Sequence, residues 1–191
     1  MKIDNFRQIQ AYLEEDDLVY LYEVQVLRRG KDHPELPAAN WCVKSIYIKG
    51  KDDLIKHQEE IIKLCETFQA RAYISMNRKS NRKCLENAIK CYAERLYDGD
   101  FKKPEAIWSH VVGTTKPENK WWLIDVDSKD VDLLQKITEY IPQQAPNKPI
   151  IGIIPTMAGF HVLCYPFNCS QFDAQFKDAE IKKHGLTLLY A

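Results

Sequence analysis

The segment WWLIDVDSKD, residues 121–130, places two aspartates at the end of a stretch that otherwise has the pattern of a buried strand. Because side chains alternate faces along a strand, Asp125 and Asp127 point to the same side. Two neighbouring like charges repel each other, and a divalent cation with oxygen ligands commonly offsets such repulsion. The segment therefore predicts a divalent-cation site at Asp125 and Asp127, directly before a helix.

The segment IIGIIPTMAGFHVLCYPF, residues 150–167, places a histidine near the start of a strand. Two apolar strands flank a turn of small residues, and His161 enters the second strand two positions after Gly159. A histidine that follows a glycine turn lies at a sheet edge or a cleft, where its ring can contact a ligand. His161 is therefore a candidate for contact with a ligand.

The order and spacing of these two motifs resemble the archaeo-eukaryotic primase superfamily, which includes primase-polymerases. Its first motif is an apolar strand with two acids one residue apart, here LIDVD, and its second is a small residue, any residue and histidine, here Gly159-Phe160-His161. The resemblance implies that Asp125 and Asp127 hold Mg²⁺ or Mn²⁺ for nucleotidyl transfer and that His161 contacts the triphosphate. It also implies an RRM-like sheet with an N-terminal α/β module beside it.

The resemblance implies a function in nucleic-acid synthesis or replication, such as that of a phage or plasmid accessory protein, with a nucleoside triphosphate and DNA or RNA as partners. The chain departs from the family at the third motif, an apolar strand with a further metal-binding acid. Of the downstream acids, neither Asp178 nor Glu180 stands squarely in an apolar strand of the sequence. Either one of them substitutes, or the site is degenerate.

A third segment, RAYISMNRKSNRK, residues 71–83, concentrates basic and small polar residues where a strand turns into a helix. Arg78, Lys79 and Ser80 lie beside the free backbone N–H groups of the helix start, which suits a phosphate. We predict that this turn contacts the phosphates of a nucleotide or the template strand. The basic loop with Arg28, Arg29 and Lys31 is a weaker candidate for contact with a nucleic-acid backbone.

The composition limits the classes of partner and compartment. The 191 residues fit one compact unit, and 27 basic residues balance 27 acidic ones, so a nucleic-acid binder would need a local basic patch. No apolar run reaches membrane-spanning length, and the first residues lack a signal-peptide core. The six cysteines form no CxxC pair, which favours reduced thiols in a cytoplasmic protein.

The elements that must position these residues alternate without strict βαβ order, which predicts an α+β fold with a mixed or antiparallel sheet. Residues 1–100 are predicted as an N-terminal α/β module, and residues 101–191 as the RRM-like module with the metal site. Strands are predicted over 18–27, 41–49, 70–77, 121–127, 150–155, 160–165 and 186–190. Helices are predicted over 5–13, 52–68, 81–97, 130–141 and 170–176, with irregular segments at 28–40, 99–105 and 142–149.

Simpler interpretations of each motif remain open. Asp-x-Asp at a strand end is often a helix cap with a surface charge, and Asp130 or Ser128 is the expected N-cap of the following helix. His161 alone could be a hydrogen-bonded structural histidine, and the basic turn could be a solvated helix start. The open functions are a primase-like nucleotidyltransferase, a non-catalytic nucleotide- or nucleic-acid-binding module, a metal-dependent nuclease and a protein-interaction domain.

Overall fold

The computed structural model describes residues 2–36, 39–101 and 103–191. It has an α+β fold with two antiparallel sheets, which confirms the predicted fold class. The strands are β1 (Tyr20–Arg29), β2 (Asn40–Ile48), β3 (Arg71–Ser75), β4 (Lys79–Ser80), β5 (Trp122–Val126), β6 (Ile150–Pro155), β7 (Phe160–Cys164), β8 (Ala179–Lys182) and β9 (Leu186–Tyr190). The helices are α1 (Phe6–Gln10), α2 (Lys51–Lys56), α3 (Gln58–Phe68), α4 (Asn81–Tyr97), α5 (Pro104–Thr114), α6 (Val131–Gln144) and α7 (Phe172–Gln175).

The first sheet has the strand order β2-β1-β3-β9, and the short β4 pairs with the start of β1. Strands β1 and β2 pair antiparallel, and Pro37 and Ala38 of the loop between them lie outside the described residues. One face of the sheet is covered by α1 and α3, where Val24, Val26 and Ile74 pack against buried side chains such as Ile9 and Ile61. The other face carries polar side chains at alternating positions, and its end at Leu21 is covered by α4 and α5.

The second sheet has the strand order β6-β7-β5-β8, and its elements follow the chain order β5-α6-β6-β7-α7-β8. Ile124, Val126 and Val162 of its inner face pack against α6 and against the phenylalanines of the α7 region. Asp130 accepts a hydrogen bond from the N–H of Asp132 and so caps α6, as predicted. The opposite face of β5 and β7 carries Asp125 and His161.

The two sheets are joined through the end of the chain. Strand β9 follows the second sheet in sequence but pairs with β3, so the predicted module of residues 101–191 supplies a strand to the first sheet. The buried Asn5 side chain donates to the carbonyl of Pro155 in β6 and to that of Leu188 in β9. Leu123 and Leu163 of the second sheet belong to the same buried cluster as α1 and the first sheet.

The helix predicted over residues 52–68 is instead two helices, α2 and α3, which meet at His57. The ring Nδ1 of His57 lies 2.9 Å from the carbonyl oxygen of Asp53, so the side chain contacts a carbonyl of α2 at the junction of the two helices. Asp52 and Asp53 lie in the first turn of α2 rather than at its cap. Their N–H groups donate to the Asp16 carboxylate, which supplies the cap from outside the helix.

The predicted bounds of α4 are confirmed. The helical spacing predicts an inward face of Leu85, Ala88, Ile89, Tyr92 and Leu96, and this is wrong except at Ala88, because the other four side chains are exposed, with Ile89 70 % exposed. The helix instead buries Cys84 against α5, with Ala88 and Cys91 half-buried beside it. The sequence interpretation missed α5, which begins with Pro104 at its first position; Lys102, inside the predicted break, lies outside the described residues.

Two further elements differ from the prediction. Helix α6 continues through Pro142 to Gln144, because the buried Ile141 and Ala145 anchor the turn on both sides of the proline. Strand β8 was not predicted, since its sequence AEIK mixes charged and apolar residues, as is typical of an edge strand with an exposed face. None of the helices in the described ranges is long and apolar enough to cross a membrane.

Candidate functional site

Adjacent central strands bring the two sequence motifs together. Asp125 of β5 lies directly across from His161 of β7 on one side and from Glu180 of β8 on the other. Residues directly opposite each other in antiparallel strands project to the same face, so the three side chains form one wall. Gly159 makes the approach possible, since a Cβ there would clash with backbone atoms of Val126 and Ser128.

His161 is held by hydrogen bonds on both ring nitrogens and is only 7 % exposed. Its Nδ1 accepts from the N–H of Leu188 at 3.4 Å and lies 3.0 Å from the hydroxyl of Thr187. Because Nδ1 accepts, Nε2 carries the proton of the neutral ring and donates to Asp125 Oδ1 at 3.3 Å. The contacts from β9 therefore fix both the orientation and the tautomer of the ring.

Asp125 is also paired with Lys182, whose ammonium contacts its second oxygen and lies 3.5 Å from Glu180. Burial alone would raise the pKa of Asp125, but hydrogen bonds from His161 and Lys182 and the nearby ammonium hold that pKa well below its usual range. Burial works against the charged form of Lys182, yet its pKa is raised overall by the bond to Asp125 and by both carboxylates. Asp125 is therefore ionised at neutral pH.

Asp127 lies one residue beyond β5 and is exposed. Its N–H donates to the carbonyl of Asp178 at 3.0 Å, which keeps the chain alongside β8. Both aspartates line one cleft with His161, as their alternation along the strand predicts. The repulsion expected between the two carboxylates is offset in this structure by Lys182 at Asp125.

We name this depression, about 410 Å³ in volume, the carboxylate cleft. The first sheet forms its opposite wall, from which Arg29, Lys31, Arg71 and Tyr73 face the acids. Arg71 is ion-paired with Asp32 at 2.6 Å, and Arg29 donates to the Tyr73 hydroxyl at 3.3 Å. The cleft therefore places Asp125, Asp127 and Glu180 on one side and two guanidinium groups on the other, where that of Arg71 is paired with Asp32.

The acids of the carboxylate cleft are suitable ligands for a hard divalent cation, because they present carboxylate oxygens from one sheet face. Within the described ranges, however, no group of three or more His, Cys, Asp or Glu side chains is arranged to hold a metal ion. Both oxygens of Asp125 are already engaged by His161 and Lys182. A metal ion there would have to displace the long, partly exposed side chain of Lys182.

Neither downstream acid was expected squarely in an apolar strand. Glu180 lies in β8, a short strand of mixed charged and apolar residues, where it is directly opposite Asp125 and lines the carboxylate cleft. Asp178 precedes the strand, and its backbone carbonyl holds Asp127. Glu180 therefore lies beside Asp125 in the cleft, with its side chain exposed and close to Lys182.

The basic turn predicted as a phosphate contact lies outside the carboxylate cleft. Arg78 is ion-paired with Glu14 and stacks over the Tyr20 ring, 4.2 Å from its centroid. Lys79 donates to the carbonyls of Val112 and Gly113 at the end of α5, and burial lowers its pKa. Ser80 caps α4 by accepting from the N–H of Lys83 at 3.3 Å.

Three residues of the cleft were missed or undervalued in the sequence interpretation. The sequence interpretation considered Arg29 only as part of a basic loop and Arg71 only as a strand residue. It assigned no role to Lys182. Alternation provided a usable signal for Arg71, because it shares a strand face with Tyr73 and Ser75. The pairing of Lys182 with Asp125 spans 57 positions and has no local signal.

Comparison of the chain with protein-family models, with curated proteins and with solved structures gave no match.

Proposed function

We propose that the carboxylate cleft binds a nucleoside triphosphate together with Mg²⁺ or Mn²⁺, in a primase-like protein that acts in nucleic-acid synthesis. The observation that carries the proposal is the charge arrangement of the cleft. Asp125, Asp127, Glu180 and His161 stand on one wall, and the guanidinium groups of Arg29 and Arg71 stand on the other. Carboxylates suit a divalent ion, and guanidinium groups suit phosphate oxygens.

The chain order of the second sheet supports an RRM-like interpretation. A β-α-β-β-α-β order with the first and third strands at the centre is the split βαβ arrangement. The acids on the first and last strands and the histidine on the third match the motif order of the primase superfamily. The N-terminal sheet beside it corresponds to the expected α/β module.

The residues of the cleft have separate roles in this proposal. Asp125 and Asp127, with Glu180, would hold the metal, which supplies charge neutralisation on the attacking and leaving oxygens of nucleotidyl transfer. His161 donates from Nε2 and would contact a triphosphate oxygen once Asp125 turns to the metal. Lys182, released from Asp125, would be a further cation for the phosphates, and DNA or RNA would supply the attacking hydroxyl.

Calorimetric titration with Mn²⁺, with and without ATP or GTP, tests the proposal. The wild type should bind the metal more tightly with nucleotide present, and Asp125→Asn/Asp127→Asn should abolish that enhancement. The control is Glu59→Gln/Asp173→Asn, which removes two exposed acids outside the cleft. A wild type that binds neither metal nor nucleotide contradicts the proposal.

Incubation with a labelled oligonucleotide and Mn²⁺ separates the two metal-dependent reactions. Lengthening of the oligonucleotide indicates nucleotidyl transfer, and its shortening indicates the nuclease alternative.

Lys182 favours a second candidate function, a nucleotide-binding module that uses no metal. Its ammonium already neutralises Asp125, as a metal ion would. The variant Lys182→Met separates the two functions. In the metal-dependent function the variant binds Mn²⁺ on the order of tenfold more tightly, because a competing cation is gone. In the metal-free function Mn²⁺ has no effect and the variant binds nucleotide more weakly.

A further inference from the structure

A second cleft lies on the polar face of the first sheet, closer to the start of β1 than the carboxylate cleft. We name it the glutamate cleft, and its volume is about 370 Å³. Its floor is formed by Glu23, Gln25 and Ser75, and its rim by the segment after α5 and by His184. Glu23 is only 8 % exposed, so a carboxylate is buried in the base of a cleft large enough for a small ring system.

Most polar side chains around the glutamate cleft are engaged within the protein. Asn77 exchanges two hydrogen bonds with the backbone of Trp121, and Lys79 is bound to the last carbonyls of α5. Thr114 and Thr115 donate to backbone carbonyls of the same helix. These groups therefore hold the walls of the cleft in place and are not free to bind a ligand.

Acceptor atoms remain on the floor. The Gln25 amide donates to Glu23 Oε1 at 2.8 Å, which orients both side chains. Within the described chain, Glu23 Oε2 and Gln25 Oε1 have no hydrogen-bond donor. Neither atom is among the fully buried polar atoms of the described residues that lack a partner, so both keep contact with solvent. A ligand that brings two adjacent N–H groups can donate to both acceptors and would be favoured over one that brings a single N–H group.

The glutamate cleft lies next to the carboxylate cleft along β1 and β3. Gln25 lies directly opposite Tyr73, which lines the carboxylate cleft, and Ser75 follows Tyr73 two positions along β3. Along the chain, His184 of one cleft follows Lys182 of the other by two positions. A nucleotide whose phosphates lie between Arg29 and Asp125 would direct its sugar and base along this face.

We propose that the glutamate cleft is a base-recognition site selective for guanine, an inference that rests on the nucleotide binding proposed above. Guanine presents its N1–H and N2 amino group side by side, which matches the acceptors of Glu23 and Gln25. Adenine and cytosine each present an amino group next to a ring acceptor, which would face the Glu23 carboxylate. The site therefore distinguishes the bases by the number of adjacent N–H donors that each base presents.

Calorimetric titration of the full-length chain with GTP, ITP and ATP, in the presence of Mn²⁺, tests this site. ITP lacks the 2-amino group of guanine and is otherwise the same. We expect GTP to bind about tenfold more tightly than ITP or ATP, because only GTP brings the second donor. Glu23→Gln should remove the preference for GTP over ITP and ATP. The control variant Glu86→Gln, on the exposed side of α4, should keep the preference.

The outcomes separate this inference from the proposed function. Equal binding of the three nucleotides contradicts guanine selectivity and leaves the triphosphate site intact, whereas no binding of any of them overturns both. A GTP preference that persists in Glu23→Gln places the selectivity elsewhere and overturns the assignment to this cleft. The comparison of GTP with ITP on the wild type needs no variant, so it decides the two-donor argument even if Glu23→Gln fails to fold.

Discussion

At the scale of single residues, Asp125 connects the ionisation of the candidate site to the stability of the fold. It is the one acid of the carboxylate cleft that is both ion-paired with Lys182 and hydrogen-bonded to a buried histidine. Its contacts reach β7 through His161 and β8 through Lys182, and His161 in turn is bound by β9. A change at Asp125 should therefore affect three strands.

The low pKa of Asp125 in the folded state predicts an acid-dependent loss of stability. The folded pKa lies below the unfolded value of about 3.9, so the stabilisation is complete above that value and is lost as the pH falls below it. Asp125→Asn should lower the free energy of unfolding by about 1–2 kcal/mol at pH 7. The difference from the wild type should shrink between pH 4 and pH 2.

Urea denaturation at several pH values measures this difference. Asp173→Asn, an exposed acid on α7, is the matched control and should follow the wild-type curve at every pH. A constant difference between Asp125→Asn and the wild type across the acid range would mean that the ionised form of Asp125 does not stabilise the fold.

A second residue-scale prediction concerns the space at Gly159. A methyl group there would meet the backbone of Val126 and Ser128, so Gly159→Ala must push β7 away from the end of β5. We expect a loss of about 1–3 kcal/mol in the free energy of unfolding, as for other overpacked sites. The separation of His161 from Asp125 should also increase.

Gly113 in α5 is the control for Gly159, because a Cβ at that position has no neighbour within 4 Å. Gly113→Ala should be neutral or stabilise the protein by up to about 1 kcal/mol. Thermal or urea unfolding compares the two variants directly. Equal stability of Gly159→Ala and the wild type would show that the small residue before the histidine is not required by packing.

At the scale of elements, the orientation of α4 decides which of its apolar residues stabilise the fold. Its packing against α5 uses small side chains, and the larger residues of the neighbouring stripe face outward. Ile89→Glu should therefore change the free energy of unfolding by less than about 0.5 kcal/mol. Ile107→Ala, at a buried position of α5, should cost about 2–5 kcal/mol.

The comparison of these two isoleucine variants by urea unfolding tests the orientation of α4. A cost at Ile89 as large as that at Ile107 would mean that the exposed stripe is covered in solution. Alternation and amphipathic spacing could not decide this question, because Leu85, Ile89, Tyr92 and Leu96 form a better helical stripe than the residues that are buried. The deciding contact is with α5, which the sequence interpretation missed.

At the scale of the whole molecule, Asn5 links the two sheets. Its amide donates to Pro155 of the second sheet at 3.0 Å and to Leu188 of the first at 2.9 Å. Asn5→Ala would leave two carbonyls without this donor, and we expect a loss of about 2–3 kcal/mol. Gln143→Ala, on the exposed side of α6, should have almost no effect.

Urea unfolding followed by both circular dichroism and tryptophan fluorescence tests this link. The wild type should show one coincident transition, because β9 and Asn5 tie the second sheet to the first. A wild type with two separate transitions would contradict the link, and so would an Asn5→Ala variant as stable as the wild type.

The sequence by itself determined the elements whose signals are local. The bounds of α4, β6 and β9 were predicted without error, since capping residues, prolines and glycines mark the ends of helices and strands directly. Strand alternation likewise placed Asp125 and Asp127 on one side, and the Gly-x-His spacing brought His161 into the same cleft. The element bounds and the alternation of the two aspartates depend on residues within a few positions of each other, whereas the meeting of Asp125 with His161 needs the pairing of β5 with β7.

Only the tertiary structure decided which distant residues complete the site. The edge strand β8 brings Lys182 and Glu180 to Asp125, and the first sheet brings Arg29 and Arg71 to the opposite wall. The basic turn with Arg78, which had the stronger local signal, is held in other contacts. Strand pairing between distant segments depends on burial and register across the whole chain, and single-sequence patterns do not contain that information.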